Sequence, residues 1–327
     1  MDIETMQRFR RLGILTIFAV YFVILVGGIV RASGSGMGCP DWPTCFGQLI
    51  PPTSEAELPE NYHEIYAVGY ANTDFNVIKT WTEYLNRLTG VTIGFLIMLT
   101  LWASRAYLKT DKAVFYLSLS VFLLVGFQGW LGAMVVKSHL HPLMITVHML
   151  LALFIVALLI YAIARSQQFS LQNINSSQLP KHFKKVLIAA MGMTLLQVAM
   201  GTQVREAVDI IALQHDYLDR EYWRSSFPII FYVHRSFSAV ILFTNLWMVW
   251  KIHQSVDKDN LLLKLSYSLI GLIITAILAG MALDRLGIPP VVQPIHLLIA
   301  NLIFGLQFFI YICLHYASQT NKTKLFD

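Results

Sequence analysis

Three imidazoles and one amide hold most of the chemistry this chain could do. His148 and His296 lie 148 residues apart, and the same gapless offset pairs Tyr84 with Tyr232, Arg87 with Arg235, Trp102 with Trp250, Gly132 with Gly280, Pro142 with Pro290 and Ala152 with Ala300. The chain reads as a duplication, broken at one member: His234 of the second half answers to Asn86 of the first. Two histidines facing each other from antiparallel helices at one depth suit a b-type heme, with imidazole nitrogens above and below the iron and apolar walls around the macrocycle. His234 and His296 are the candidates for that pair. Zinc would want three or four N, S or O ligands converging on one point, and no further Cys or carboxylate stands beside them. A lone intramembrane histidine would more often join two helices by a hydrogen bond, but a repeated, depth-matched set argues for a ligand.

Around these four lie residues whose roles stay open on sequence alone. Glu83 precedes Asn86 by three residues and so shares its helical face, whereas its counterpart is Phe231. A carboxylate present in one half only could take a proton from a substrate or fix a polar substrate group, the plainer alternative being a solvated Glu at a helix mouth. Arg87 and Arg235 directly follow Asn86 and His234 and could either hold heme propionates or snorkel to headgroups. Arg31 and Arg205 invite the same two readings. Cys39 and Cys45 share a loop on the expected oxidising side, where a disulfide is permitted as a staple or a redox element. Cys313 stands alone in the last apolar run. His139 and His141 fall just outside a helix, and His63, His182, His215, His253 and His315 join no constellation.

These residues need elements to carry them, and composition says which. The 327 residues are 56% hydrophobic and 13% charged, with a mean hydropathy of +0.59, too apolar for a soluble domain of this length. Eight runs are long enough to cross about 30 Å of hydrocarbon as helices. They fall near 12–30, 80–103, 113–135, 142–164, 185–203, 229–250, 262–283 and 291–315. The expected fold is all-α: an integral membrane protein of eight transmembrane helices in two repeated four-helix bundles, residues 1–166 and 183–327, joined by a polar cytoplasmic linker at 167–182. Each half should have a long outward loop between its first two spans, at about 31–79 and 204–228. The first is rich in Gly and Pro and suits an irregular cap; the second, with Glu206, Asp209, Asp216, Asp219 and Glu221, suits a short helix on the membrane surface. Fifteen Lys and Arg fall on the side of both termini and seven on the other, which predicts cytoplasmic termini. The net charge of +5 follows from that asymmetry and calls for no nucleic-acid partner. No cleavable leader is expected, because the first apolar run is of spanning length.

In this frame Asn86, His148, His234 and His296 each stand a few residues into a helix that enters from outside, at one depth. The motifs then resemble the heme A synthase family, the Cox15/CtaA type, over nearly the whole chain. They comprise Gly27-Gly28-Ile29-Val30-Arg31 with Gly34-Ser35-Gly36, Cys39-Pro40-Asp41-Trp42-Pro43 with Cys45, Glu83-Tyr84 with Arg87, Thr146-Val147-His148, Gly201-Thr202-Gln203-Val204-Arg205-Glu206, His234-Arg235 and His296. The resemblance implies a stable heme b on His234 and His296. It implies a first half that takes heme o as substrate, its iron on His148, and oxidises a ring methyl by successive hydroxylations to the formyl of heme a for terminal oxidase biogenesis. It further implies that Glu83 and His148 belong to the substrate site, that the Cys39/Cys45 pair influences electron or heme transfer, and that a heme O synthase and a terminal oxidase are partners in the cell membrane. The chain departs from the family at Asn86, where histidine is usual. Asn is a poor iron ligand, so His148 would hold the first-half heme alone, leaving an axial position free, or that half has lost activity. Competing readings are a b-type heme electron carrier, a duplicated transporter and a non-catalytic heme-binding assembly factor.

Overall fold

The computed structural model of the chain describes residues 3–66, 75–176, 178–215 and 223–323; Asp216, Asp219, Arg220, Glu221 and Lys324 lie outside them. Ten α-helices follow in chain order: α1 (Ile3–Ala32), α2 (Tyr62–Ile65), α3 (Val77–Ser104), α4 (Lys112–Lys137), α5 (Pro142–Arg165), α6 (Gln168–Gln172), α7 (Phe183–Gln214), α8 (Ile229–Ser255), α9 (Leu261–Arg285) and α10 (Val292–Thr323). Short 3-10 turns lie at Glu55–Glu57, Arg105–Lys109 and Trp223–Ser226. Among the described residues the one β pairing is an isolated bridge between Cys45 and Gln48. All the helices but α2 and α6 are long and apolar enough to cross a membrane, eight in number as expected. Their outer faces carry large apolar side chains such as Phe18, Trp102 and Phe243, about 70% exposed, which water would not tolerate in such number and lipid does.

Local chemistry starts the spans. The Asn76 side chain accepts from Lys79 N at 3.0 Å at the head of α3, and Asn260 does the same for Leu262 N at 2.9 Å on α9. Asp111 caps α4 and also binds Arg165 at the end of α5, Nε to Oδ2 2.7 Å, closing the base of the first half. The turns that deliver α5 and α10 share one backbone form. His139 and Leu140 have φ of 53° and 60°, Gly287 and Ile288 of 67° and 55°. Leu140 N donates to Val135 O at 2.9 Å, and Ile288 N to Leu283 O at 3.1 Å. Each pair ends one helix with left-handed residues and aims the next, starting at or near Pro142 and Pro290.

Helices α1, α3, α4 and α5 pack in a ring, as do α7, α8, α9 and α10; α10 also packs on α1 and α5, and α5 on α7. Gly28 permits the contact of α1 with α10, since a Cβ there would lie 2.9 Å from Pro294 Cβ. Polar groups stitch the second ring: Thr194 Oγ1 donates to Gln307 Oε1 at 2.9 Å, Gln307 Nε2 to Asn245 Oδ1 at 3.1 Å, and Asn245 Nδ2 to Ile241 O at 2.7 Å. Asn245 and Gln307 are wholly buried, so the chain of bonds joins α7, α10 and α8 where hydrocarbon offers no substitute partner.

One expectation is corrected. The fifth span does not end near residue 203: α7 runs on to Gln214, so Glu206 and Asp209 ride on it rather than on a separate surface helix. The extension is held by an Arg205–Asp209 pair one turn apart, 2.8 Å, and by Val208 and Ile211 buried against Trp223 and Phe227. Within the linker region a short helix, α6, forms around a buried Leu171.

Replacing Gln307 with Leu strands Asn245 Oδ1 and leaves Thr194 Oγ1 only the Ala190 carbonyl, 3.0 Å away, and a loss of about 1–2 kcal/mol is expected, read as a lower thermal midpoint in detergent. An unchanged midpoint would show that the three-helix stitch contributes nothing.

Candidate functional site

The first-half site is a cavity of about 2020 Å³ bounded by α1, α3, α4 and α5, with α7 and α10 at its edge. Its volume exceeds the roughly 300–1,000 Å³ of ordinary small-ligand pockets. Glu83, Asn86, Arg87 and His148 all line it, as do Arg31 and Arg205. Asn86, on α3, faces Gly27 of α1, its Oδ1 at 4.0 Å from a Cβ built there. His148, on α5, faces Gly132 of α4, its Cε1 at 3.4 Å from the corresponding built Cβ. Gln128 of α4 donates from Nε2 to His148 O at 2.9 Å, which ties the two helices at the level of the ring.

The second-half site repeats this carpentry with a second imidazole. His234 on α8 and His296 on α10 stand with ring centroids 6.4 Å apart and planes at 72°. Gly201 of α7 and Gly280 of α9 face their Cε1 atoms, each 3.4 Å from the built Cβ, and Gln197 donates to His234 O at 3.0 Å. An alanine methyl at either glycine would lie in van der Waals contact with the imidazole. The glutamines escape the sequence reading, although the shared spacing Gln-x-x-x-Gly, Gln128 to Gly132 and Gln197 to Gly201, is a signal that marks them.

Fit to a heme can be judged from the side chains themselves. His148, His234 and His296 each bury an Nδ1 without a hydrogen-bond partner, and Asn86 buries its Oδ1 likewise. Such groups are costly at membrane depth unless a ligand uses the residue. The spacing of the pair is apt: two metal–imidazole bonds of about 2 Å and two ring radii of about 1.1 Å span about 6 Å. His234 and His296 therefore suit a single iron between them. Among the described residues no three His, Cys, Asp or Glu side chains converge as a bare metal ion would need.

The carboxylate found in one half only is buried, 3% exposed, rather than solvated at a helix mouth. Glu83 Oε2 accepts from Cys39 N at 2.7 Å, and Oε1 from Arg87 NH2 at 2.5 Å. Arg87 in turn donates from NH1 to Asp41 O and Thr44 O, 2.8 and 2.9 Å, and from NH2 to Cys39 O at 3.2 Å. The structure thus places Arg87 under the first loop. Its counterpart Arg235 is half exposed, lies over the Tyr232 ring at 5.4 Å and reaches Asp284 at 3.6 Å, sharing that carboxylate with Arg224. The difference follows from the loop: the second half has Phe231 in place of Glu83 and no cysteine-bridged segment above it.

That loop is a small folded cap. Cys39 and Cys45 are joined by a disulfide and are fully buried with Phe46, Leu58 and Tyr62. Asp41 accepts from Phe46 N at 2.6 Å, from Gly47 N at 2.9 Å and from Thr44 Oγ1. Further out, hydrogen bonds from the Thr53 side chain and backbone and from Ser54 hold the exposed Glu57 carboxyl below the usual range. Gly38 seats the cap on α3, for a Cβ there would lie 2.3 Å from Lys79 O, while Thr80 Oγ1 donates to Gly38 O at 2.8 Å. At the seam between halves Arg31 and Arg205 both reach Asp209, 3.1 and 2.8 Å.

Fold and site together define a polytopic helical membrane protein with histidines set at matching positions in its two halves. The chain belongs to the COX15-CtaA family of cytochrome oxidase assembly proteins, whose profile matches residues 10–308, and it is an integral membrane protein. It is similar to the Heme A synthase of Shewanella oneidensis, 33% identical over 153 residues, covering 47% of this chain and 44% of that one. It is similar also to the Heme A synthases of Hyphomonas neptunium, 28% over 207 residues and 60% and 58% of the two chains, and of Shouchella clausii, 31% over 141 residues and 42% and 39%. The chain spans about half the length of the curated relatives it matches.

Gly38→Ala should lift the cap from α3 and expose the disulfide. Its reduction by a water-soluble dithiol is expected to accelerate about tenfold, the factor for about 1.4 kcal/mol of lost local stability. Equal rates in both proteins would show that the close approach at Gly38 does not hold the cap.

Proposed function

We propose that this chain is a heme A synthase: an oxidoreductase that converts a ring methyl of heme o to the formyl group of heme a for terminal oxidase assembly. Two hydroxylations of one carbon, each a two-electron oxidation that needs an external oxidant and an oxygen atom from outside the protein, would give a gem-diol that loses water to leave the aldehyde. The observation that carries the reading is the unequal pair of sites, one with two facing imidazoles and one with His148 across a large cavity from Asn86. Family membership and the relatives named Heme A synthase support it.

In this reading heme b rests between His234 and His296, where it supplies one-electron chemistry when bound. Heme o enters the first-half cavity with its iron on His148. Asn86 offers an amide rather than a second imidazole, so His148 would hold that heme without a second histidine. Glu83 is a proton acceptor or polar anchor one turn from Asn86, and Arg87 orients it while pinning the disulfide cap over the cavity. The cap and the apolar walls exclude water. Arg235, and Arg31 with Arg205, would meet heme carboxylates near the loop ends of the helices. Arg87 would join them only by surrendering some of its loop carbonyls. The halves at 1–166 and 183–327 are the two sites' scaffolds. Both termini face the cytoplasm across the cell membrane, and the upstream heme O synthase and a terminal oxidase are the partners.

Cells that make heme o but no heme a, given this chain, should accumulate heme a or its hydroxymethyl precursor on chromatography of extracted hemes; unchanged heme o would contradict the enzyme. His234→Ala and His296→Ala should each abolish the stable b-type spectrum, and its full retention in both would remove the ligand assignment. Glu83→Gln should keep that spectrum while lowering product by about 10²–10⁴-fold, the scale of a lost acid–base group. Undiminished product would take Glu83 out of the reaction.

A further inference from the structure

The first-half cavity has a feature that neither the ligand set nor the acid–base groups use. Its walls carry Gly90 and Gly94 on α3 and Gly126 and Gly129 on α4, and a Cβ built on any of the four meets no atom within 4 Å. These glycines relieve no crowding. They leave open space. The two helices run antiparallel, so the four form two levels. At about 1.5 Å per residue, Gly90 and Gly129 lie about 5 Å, and Gly94 and Gly126 about 9–12 Å, farther from the loop end than the layer of Asn86 and Gly132. The slot they make descends along the membrane from beneath the ligand layer. Its rim is formed by Phe95, Met98 and Leu123, which line the cavity and are also 43–62% exposed, so it opens sideways on the lipid-facing surface.

The second half does not repeat these four glycines. At the offset of 148 the counterparts are Ser238, Leu242, Ile274 and Ile277, although Gly132, which faces His148, keeps its glycine partner in Gly280. Leu242 and Ile277 pack against the core. Three of the four glycines therefore give way to bulky residues in the half with two facing imidazoles, the fourth to Ser238. His148 Nδ1 and Asn86 Oδ1, both buried without a partner, sit at the head of the same space.

Resting on the heme o reading above, we propose that the slot between α3 and α4 is the site for the substrate's long apolar side chain and its lateral entrance from the bilayer. Gly94 and Gly126 are then the residues that let this half accept a tailed tetrapyrrole. A tail laid along the slot contacts apolar walls over about two helical turns and draws the macrocycle up to the His148 layer. The second half, with bulky residues there, retains a tetrapyrrole without a tail.

The test installs the second half's own residues, Gly94→Leu and Gly126→Ile, singly and together, in the full-length protein. Purified protein carrying its b-type heme is titrated with heme o, which bears the tail, and with heme b, which does not. The wild type should take up one further heme o, and the double variant should bind it about tenfold or more weakly, the penalty of blocking an apolar pocket. Heme b uptake at the same site should be unaltered, and an intact His234/His296 spectrum reports folding. Gly94→Ala with Gly126→Ala, whose added methyls meet open space, should fall between. Equal weakening for heme o and heme b would overturn the tail slot, as would no weakening for either, the result if the groove holds bilayer lipid only. Failure of the wild type to take up any heme o would instead sink the substrate reading itself, and the slot with it.

Discussion

A polar ring nitrogen without a partner at membrane depth is the constraint around which the rest of this molecule is arranged. Each unsatisfied group costs about 1–3 kcal/mol in a protein interior, and three imidazoles with one amide carry that burden here in two sites. The chain does nothing to relieve it. Glutamines that could have bonded the rings donate instead to the backbone carbonyls of His148 and His234, and glycines clear the space beside each ring. Turns with left-handed residues deliver α5 and α10 so that His148 and His296 stand at matching positions. On the proposed reading these residues await a guest rather than each other, which is preorganisation of a ligand site.

The halves then diverge by a few substitutions with large consequences. On the proposed reading His234 would join His296 in holding heme b, the two rings standing 6.4 Å apart. In the first half Asn86 stands in place of one such ring, and Glu83 adds a carboxylate where Phe231 stands in the other half. Because Glu83 is buried beside Arg87, and both are bonded to the backbone around Cys39, the disulfide cap and the carboxylate form one unit. A change in the cap is transmitted to the cavity through a few short bonds.

The sequence made the eight spans legible because length and apolarity suffice for a helix in hydrocarbon, with no appeal to tertiary contacts. The facing of His234 and His296, and the placing of Asn86 and His148 on one cavity, followed the gapless offset of 148 that aligns the halves residue by residue. The end of α7 was not legible, because its last turns depend on a pair between Arg205 and Asp209 and on burial under Trp223. Nor was the direction of Arg87: adjacency to Asn86 suggested a macrocycle carboxylate, but the fold of the loop, invisible to periodicity, brings three carbonyls within its reach. The glycines of α3 and α4 were silent for a related reason, as an empty space has no sequence signal until the facing helix is known.

The central claim is that two unlike heme sites share this chain, one with iron between two imidazoles and one with iron on His148 alone. Electron paramagnetic resonance of the oxidised protein loaded with both hemes tests it most directly. The account predicts a low-spin ferric signal from the His234/His296 site together with a separate high-spin signal that disappears in His148→Ala. Two low-spin signals, or a high-spin signal indifferent to His148, would contradict it.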